Sequence, residues 1–158
     1  MNTAIDEKVH ARNDCRLCGS TDLIQVLSFG ETPPANAYLA SNDLDKPEIF
    51  APLVINACHA CKLIQLRDVV DPKLLFSHYL YVSGTSPVFV AHFASYAKSV
   101  KERFSLSGDS LVVDIGSNDG VLLDHFKKEG MKILGIDPAE NIATEATAND
   151  IPTIPKFF

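Results

Sequence analysis

Two groups of residues in this chain have the types and spacing to do chemistry. The first is a pair of C-x2-C knuckles, Cys15 with Cys18 and Cys58 with Cys61. They hold all 4 cysteines of the chain. Four thiolates paired this way can satisfy one tetrahedral zinc ion, with no position left for water, so such a zinc is structural. The second is LVVDIGSNDGVLL at Leu111–Leu123, followed by GIDPAEN at Gly135–Asn141. It reads as strand, glycine turn, helix, strand and acid, the layout of a nucleotide-cofactor crevice at the edge of an open α/β sheet.

The knuckles have competitors. A disulfide framework needs an oxidising compartment, and the polar, mixed-charge start MNTAIDEKVHARND is not a signal peptide. A redox C-x-x-C needs only one pair. Gly19 follows the first knuckle and suits its tight turn, whereas Lys62 stands there in the second. His59 sits inside the second knuckle and is read as an exposed side chain, because four sulfurs already complete the set.

The crevice residues discriminate between cofactors. The turn is Gly116-Ser-Asn-Asp-Gly120 and not G-x-G-x-x-G. Asn118 falls at the second glycine of that fingerprint and Val121 at the third. A dinucleotide needs small residues there for pyrophosphate approach and helix packing, so NAD fits poorly. A cationic sulfonium cofactor has no pyrophosphate to cradle. Asp137, at the end of the second strand, can accept two hydrogen bonds from a ribose diol, and Asp114 or Asp119 can place an amino group. The candidate cofactor contacts are Asp114, Gly116, Asn118, Asp119, Gly120, Asp137, Pro138 and Ser86.

The elements that must position these groups follow from pattern. Leu111–Ile115 is an apolar, β-branched run, expected to be a strand buried on both faces. Gly120 opens a helix carrying Val121, Leu122, Leu123 and Phe126, closed near Gly130. Lys132–Ile136 reads as the next strand and Ile151–Ile154 as a third. Ser86 and Pro87 form an N-cap and first-turn pair for a helix burying Phe89, Phe93, Tyr96, Val100 and Phe104. His92 and Tyr96 are read as packing or surface residues of that helix. Between the knuckles, Leu23–Leu27 and Phe50–Ala57 read as strands, Lys62–Leu66 as another, and Asp71–Phe76 as a short capped helix. HYLYVSGTSP, His78–Pro87, is irregular and unusually rich in hydroxyl and aromatic groups for a mere linker.

Composition narrows the class. The chain has 158 residues, 46% hydrophobic and 22% charged, with net charge −6. That is a globular composition. The acidic balance without a Lys/Arg cluster argues against nucleic acid or an anionic membrane as partner. We expect a cytoplasmic α/β protein: a disordered leader at 1–12, a small four-cysteine zinc-binding β domain at 13–75, and the incomplete first part of a Rossmann-like sheet at 76–158. A doubly wound sheet usually has five or more strands, so the reading expects a truncated chain or fragment, with IPTIPKFF short of an apolar partner.

The ordered set CRLCGS, PPANAYL, CHACKLIQL, YLYVSGTS, VVDIGSNDGVLL, GIDPAENIA and IPTIPKFF resembles the zinc-containing, S-adenosylmethionine (SAM)-dependent C-methyltransferases of nucleotide-linked deoxyketosugars. The D-x-G-x-N-x-G turn is similar to the first motif of class I SAM methyltransferases, with Asn118 where glycine is usual. The resemblance implies SAM and a structural zinc as cofactors and a nucleotide-linked ketosugar as partner. It implies methyl transfer to the carbon beside the keto group, and a catalytic tyrosine that Tyr81 matches best, with Tyr79 second. It also implies longer enzymes whose His and Glu partners come later, so the 158-residue chain alone is expected to be inactive. Two other readings stand beside it: a nicotinamide-dependent oxidoreductase with a zinc domain, and a non-catalytic zinc-stabilised binding module.

Overall fold

A computed structural model describes residues 8–158, and residues 1–7 of the expected leader lie outside the described residues. The chain divides into two compact units, Met1–Leu75 and Phe76–Phe158.

The first unit is built from short strands. They are β1 (Val9–Ala11), β2 (Leu23–Thr32), β3 (Ala51–Cys58), β4 (Ile64–Leu66) and β5 (Asp68–Val70), followed by the helix α1 (Pro72–Phe76). An antiparallel sheet runs β2-β3-β4, and β1 pairs with β5. The pairing Val9↔Val70 corrects the reading of residues 9–11 as leader. Three residues are too few to show a strand period, and their order comes from a partner far along the chain. β2 continues past Leu27 to Thr32 through two register shifts, which break the alternation that would announce it. Period 2 in β3 turns Val54, Asn56 and Cys58 to the buried side, so the strand delivers one knuckle sulfur to the interior.

The second unit is a parallel sheet in the order β6 (Leu111–Ile115), β7 (Lys132–Ile136), β8 (Thr153–Ile154). The helix α2 (Pro87–Phe104) precedes it, and α3 (Val121–Lys128) and α4 (Glu140–Ala148) make the crossovers. Leu123, Ala146 and Ile151 form one buried cluster against Val112 and Ile133. Ala97, Phe126 and Met131 form a second, against the same two strand residues. All three helices therefore contribute to one face of the sheet. On the other face Leu111, Val113 and Ile115 are 58%, 46% and 56% exposed. This corrects the expectation of a strand covered on both sides: the apolar run is real, but only its even-numbered residues meet helices among the described residues.

The buried stripe of α2 also differs from the expected one. Ala97 is its buried residue, with Val100 packed beside it, while Phe89, Tyr96 and Phe104 are exposed. The small Ala97 allows close approach to Phe126 of α3, and Phe89, Tyr96 and Phe104 lie outside that seam. The caps behave as expected. Ser86 accepts from the Phe89 N–H with Pro87 at N1, and Gly130, φ 94°, follows the end of α3.

Candidate functional site

The metal-ligating residues converge from distant parts of the sequence. The Sγ atoms of Cys15, Cys18, Cys58 and Cys61 lie within 4.8 Å of one another. Cys15 and Cys61 are 3.5 Å apart, and Cys18 and Cys58 are 3.7 Å apart. A tetrahedron with Zn–S of about 2.3 Å has S–S edges of about 3.8 Å, so four thiolates here fit a zinc ion.

The two knuckles are built alike. Cys15 N–H donates to Ser20 O and Gly19 N–H to Cys15 O; Cys58 N–H donates to Leu63 O and Lys62 N–H to Cys58 O. Gly19 and Lys62 occupy equivalent left-handed positions, φ 72° and 67°. Lys62 tolerates this at a cost of about 1–2 kcal/mol, with its Nζ donating to His59 O at 2.7 Å. The backbone also readies the sulfurs. The Cys18 N–H holds the Cys15 thiol near an acidity of about 6 against the effect of burial, and the Cys61 N–H lowers Cys58 likewise. The Ser20 N–H favours the Cys18 thiolate, yet the neighbouring Cys61 sulfur and burial push Cys18 up to about 12. The first cysteine of each knuckle is thus the readier thiolate, and a bound divalent cation would supply the charge that deprotonates the second.

Sequence reasoning missed one supporting residue. Gln65 Oε1 accepts from Arg16 N–H at 2.8 Å and its Nε2 donates to Asp14 O at 3.0 Å. It clamps both neighbours of Cys15. The signal was a glutamine between Ile64 and Leu66 in a strand. His59 is exposed, 3.5 Å from Asp22, and is not among the clustered ligands.

The second constellation lies at the carboxyl ends of β6 and β7. Nothing lies within 4 Å of where a Gly116 side chain would stand, whereas a Cβ on Gly120, φ 76°, would meet Ile151 Cγ2 at 2.5 Å. Gly116 therefore leaves bare backbone facing open space, and Gly120 serves close packing. Asp137 is 7% exposed. Its Oδ2 accepts from Asn118 N–H at 2.8 Å and its Oδ1 from Ala139 N–H at 2.9 Å. The expected ribose ligand is thus also a brace between two turns. Pro138 stands between these bonds, half-buried.

Asn118, φ 50°, occupies the glycine position of the motif for a reason. Its Nδ2 donates to Tyr81 O at 2.9 Å and its Oδ1 accepts from Ser83 N–H at 2.9 Å. Asp119 Oδ2 accepts from Gly84 N–H at 2.8 Å and its Oδ1 from Val121 N–H at 3.4 Å. The tyrosine segment is therefore fastened to the glycine turn. Tyr81 is 41% exposed, with its ring 6.5 Å from that of Tyr79 in an edge arrangement. Ser86 caps α2 with its hydroxyl, which gives it a structural role outside this cluster.

Asp114 sits behind the turn. Burial and the charge of Asp137 both push its carboxyl above the usual 3.8. A carboxyl raised on folding destabilises the fold as it ionises, and costs nothing while both states are protonated. Asp114→Asn is therefore expected to raise the melting temperature of the second unit at pH 7, with the gain vanishing below pH 4. Equal melting at pH 7 would remove the repulsion argument.

Residues 15–76 match the family model of a zinc binding domain. Over 146 residues, 92% of the chain, the sequence is 38% identical to the C-methyltransferase NovU of Streptomyces niveus. The chain spans 35% of that relative's length. The matched domain begins at Cys15 and contains all four clustered cysteines, so family and geometry agree on the metal. The similarity to NovU covers 146 residues and therefore extends beyond the matched domain through the glycine turn and the tyrosine segment. No helix among the described residues is long and apolar enough to cross a membrane.

Proposed function

We propose that this chain supplies the structural zinc unit and the cofactor half-site of a SAM-dependent C-methyltransferase. The observation that carries the reading is the tying of three segments at the carboxyl end of the sheet. The Gly116–Gly120 turn is joined to Asp137 after β7 and to Tyr81–Gly84 before the sheet. In open α/β sheets ligands bind at this end. Bare backbone at Gly116 and the acids Asp114 and Asp119 suit a cationic amino-acid nucleoside better than a pyrophosphate. When bound, SAM supplies an electrophilic methyl group.

The acceptor we infer is a nucleotide-linked deoxyketosugar. Tyr81 is assigned to its keto group. Donation from the phenol draws charge to that oxygen and acidifies the neighbouring C–H, the carbon that must become nucleophilic. Four cysteines clustered as metal ligands and not as disulfides suit a reducing compartment, in keeping with a cytoplasmic enzyme.

Calorimetry separates this from a dinucleotide enzyme. S-adenosylhomocysteine is expected to bind the chain with a dissociation constant in the micromolar range and NAD is expected to give no heat. Binding of NAD alone would overturn the reading.

A further inference from the structure

We infer that Asn118 and Asn141 are positioning residues that set the register of the Tyr79–Gly84 segment across the crevice. What the tyrosines then face rests on the methyltransferase reading; the clamp itself does not. A carboxamide carries the same donor and acceptor pair as a peptide group. Asn141, in the first turn of α4, donates from Nδ2 to Tyr79 O at 2.8 Å and accepts at Oδ1 from Tyr79 N–H at 3.3 Å. Asn118 uses the same donor and acceptor pair further on but spans two residues, donating to Tyr81 O at 2.9 Å and accepting from Ser83 N–H at 2.9 Å.

The bonded residues are 79, 81 and 83. That is the spacing of one edge of an extended segment, whose alternate residues turn their backbone groups to the same side, and it ends where a single 3-10 turn over Ser83–Thr85 begins. Val82 within it is extended, φ −122° and ψ 121°. The two side chains therefore take the part of a neighbouring strand, without adding one to the sheet. Further ties fix the ends: Glu140 N–H to Ser77 O at 3.3 Å and Gly84 N–H to Asp119 at 2.8 Å.

Register decides which side chains are presented. A slip of one residue in an extended segment exchanges its two faces. It would put Leu80 and Val82 where Tyr79 and Tyr81 now stand. The clamp also explains both asparagines. The left-handed turn at 118 would accept glycine at least as readily, but glycine has no carboxamide to hold the segment.

The test uses 3-fluorotyrosine, because the chain has only 4 tyrosines and two of them, Tyr38 and Tyr96, lie outside the clamp. Asn118→Gly keeps the turn and deletes its carboxamide; Asn141→Ala deletes the other. In the double variant the Ser83 amide is expected to exchange at least tenfold faster. The fluorine signals of Tyr79 and Tyr81 should shift or broaden while those of Tyr38 and Tyr96 stay in place. Unchanged Ser83 exchange, or four tyrosine signals moving together with a lowered melting temperature, would overturn the clamp. None of these readouts needs a cofactor. Failure of the methyltransferase reading shows separately, as absence of S-adenosylhomocysteine binding to the unaltered chain.

Discussion

Removing the metal is expected to unfold the first unit and leave the second folded. The first unit has little else to hold it. Among the described residues its buried apolar side chains are Cys15, Ala51, Val54 and Cys58, and two of these belong to the metal-ligating cluster. The β2 strand exposes Ile24, Val26, Leu27 and Phe29, so its sheet covers almost no core of its own. Small units of this kind need a metal or disulfides to offset chain entropy, and structural zinc contributes about 10–16 kcal/mol in isolated zinc domains at neutral pH. Cys58→Ser, which replaces a buried thiolate with a poor ligand, should behave like chelation. The measurement is amide exchange with metal analysis. Protection should vanish across β2, β3 and β4 and persist across β6 and β7, with His59→Ala unchanged as the control. Protection of β2–β4 surviving in zinc-free protein would show that the metal is not what folds the unit.

The same physics explains what could be read from the sequence. The cysteine pairs were legible because ligand chemistry demands their types and spacing whatever the fold around them. β6, α3 and β7 were legible because each carries its own period and its own punctuation. The pairing of β1 with β5 was not, since it rests on three-residue strands whose order is borrowed from far away. The covered face of β6 was misread because an apolar run reports strand propensity and does not report which face the helices choose. The carboxamides of Gln65, Asn118 and Asn141 were the least legible. Each does its work by copying a peptide group, and nothing in a lone Asn or Gln announces that a distant backbone segment lies against it.

Asp137 should prove the most sensitive single position of the proposed cofactor crevice. Its carboxylate accepts from Asn118 N–H and Ala139 N–H at 2.8 and 2.9 Å. Hydrogen bonds to a buried charge are worth about 1.5–3 kcal/mol each, and removal also strands their donors. Asp137→Ala should therefore destabilise the second unit by about 3–6 kcal/mol, or on the order of 10 °C or more in melting temperature for a unit of this size. The Asn118 N–H is one of the two donors lost, and Asn118 holds the tyrosine segment. The damage should thus spread from the turn to Tyr81, and S-adenosylhomocysteine affinity should fall more than tenfold. Asp137→Asn separates brace from ligand contact. Its amide keeps one acceptor and sets an NH2 group against the other N–H, so melting and affinity should both fall, each less than with alanine. An Asn variant that melts like the unaltered protein yet loses cofactor would reduce Asp137 to a ribose contact. A variant that loses stability and keeps affinity would make it a brace alone. Both losses together would mean that the acid binds by holding the two turns at the spacing the cofactor requires.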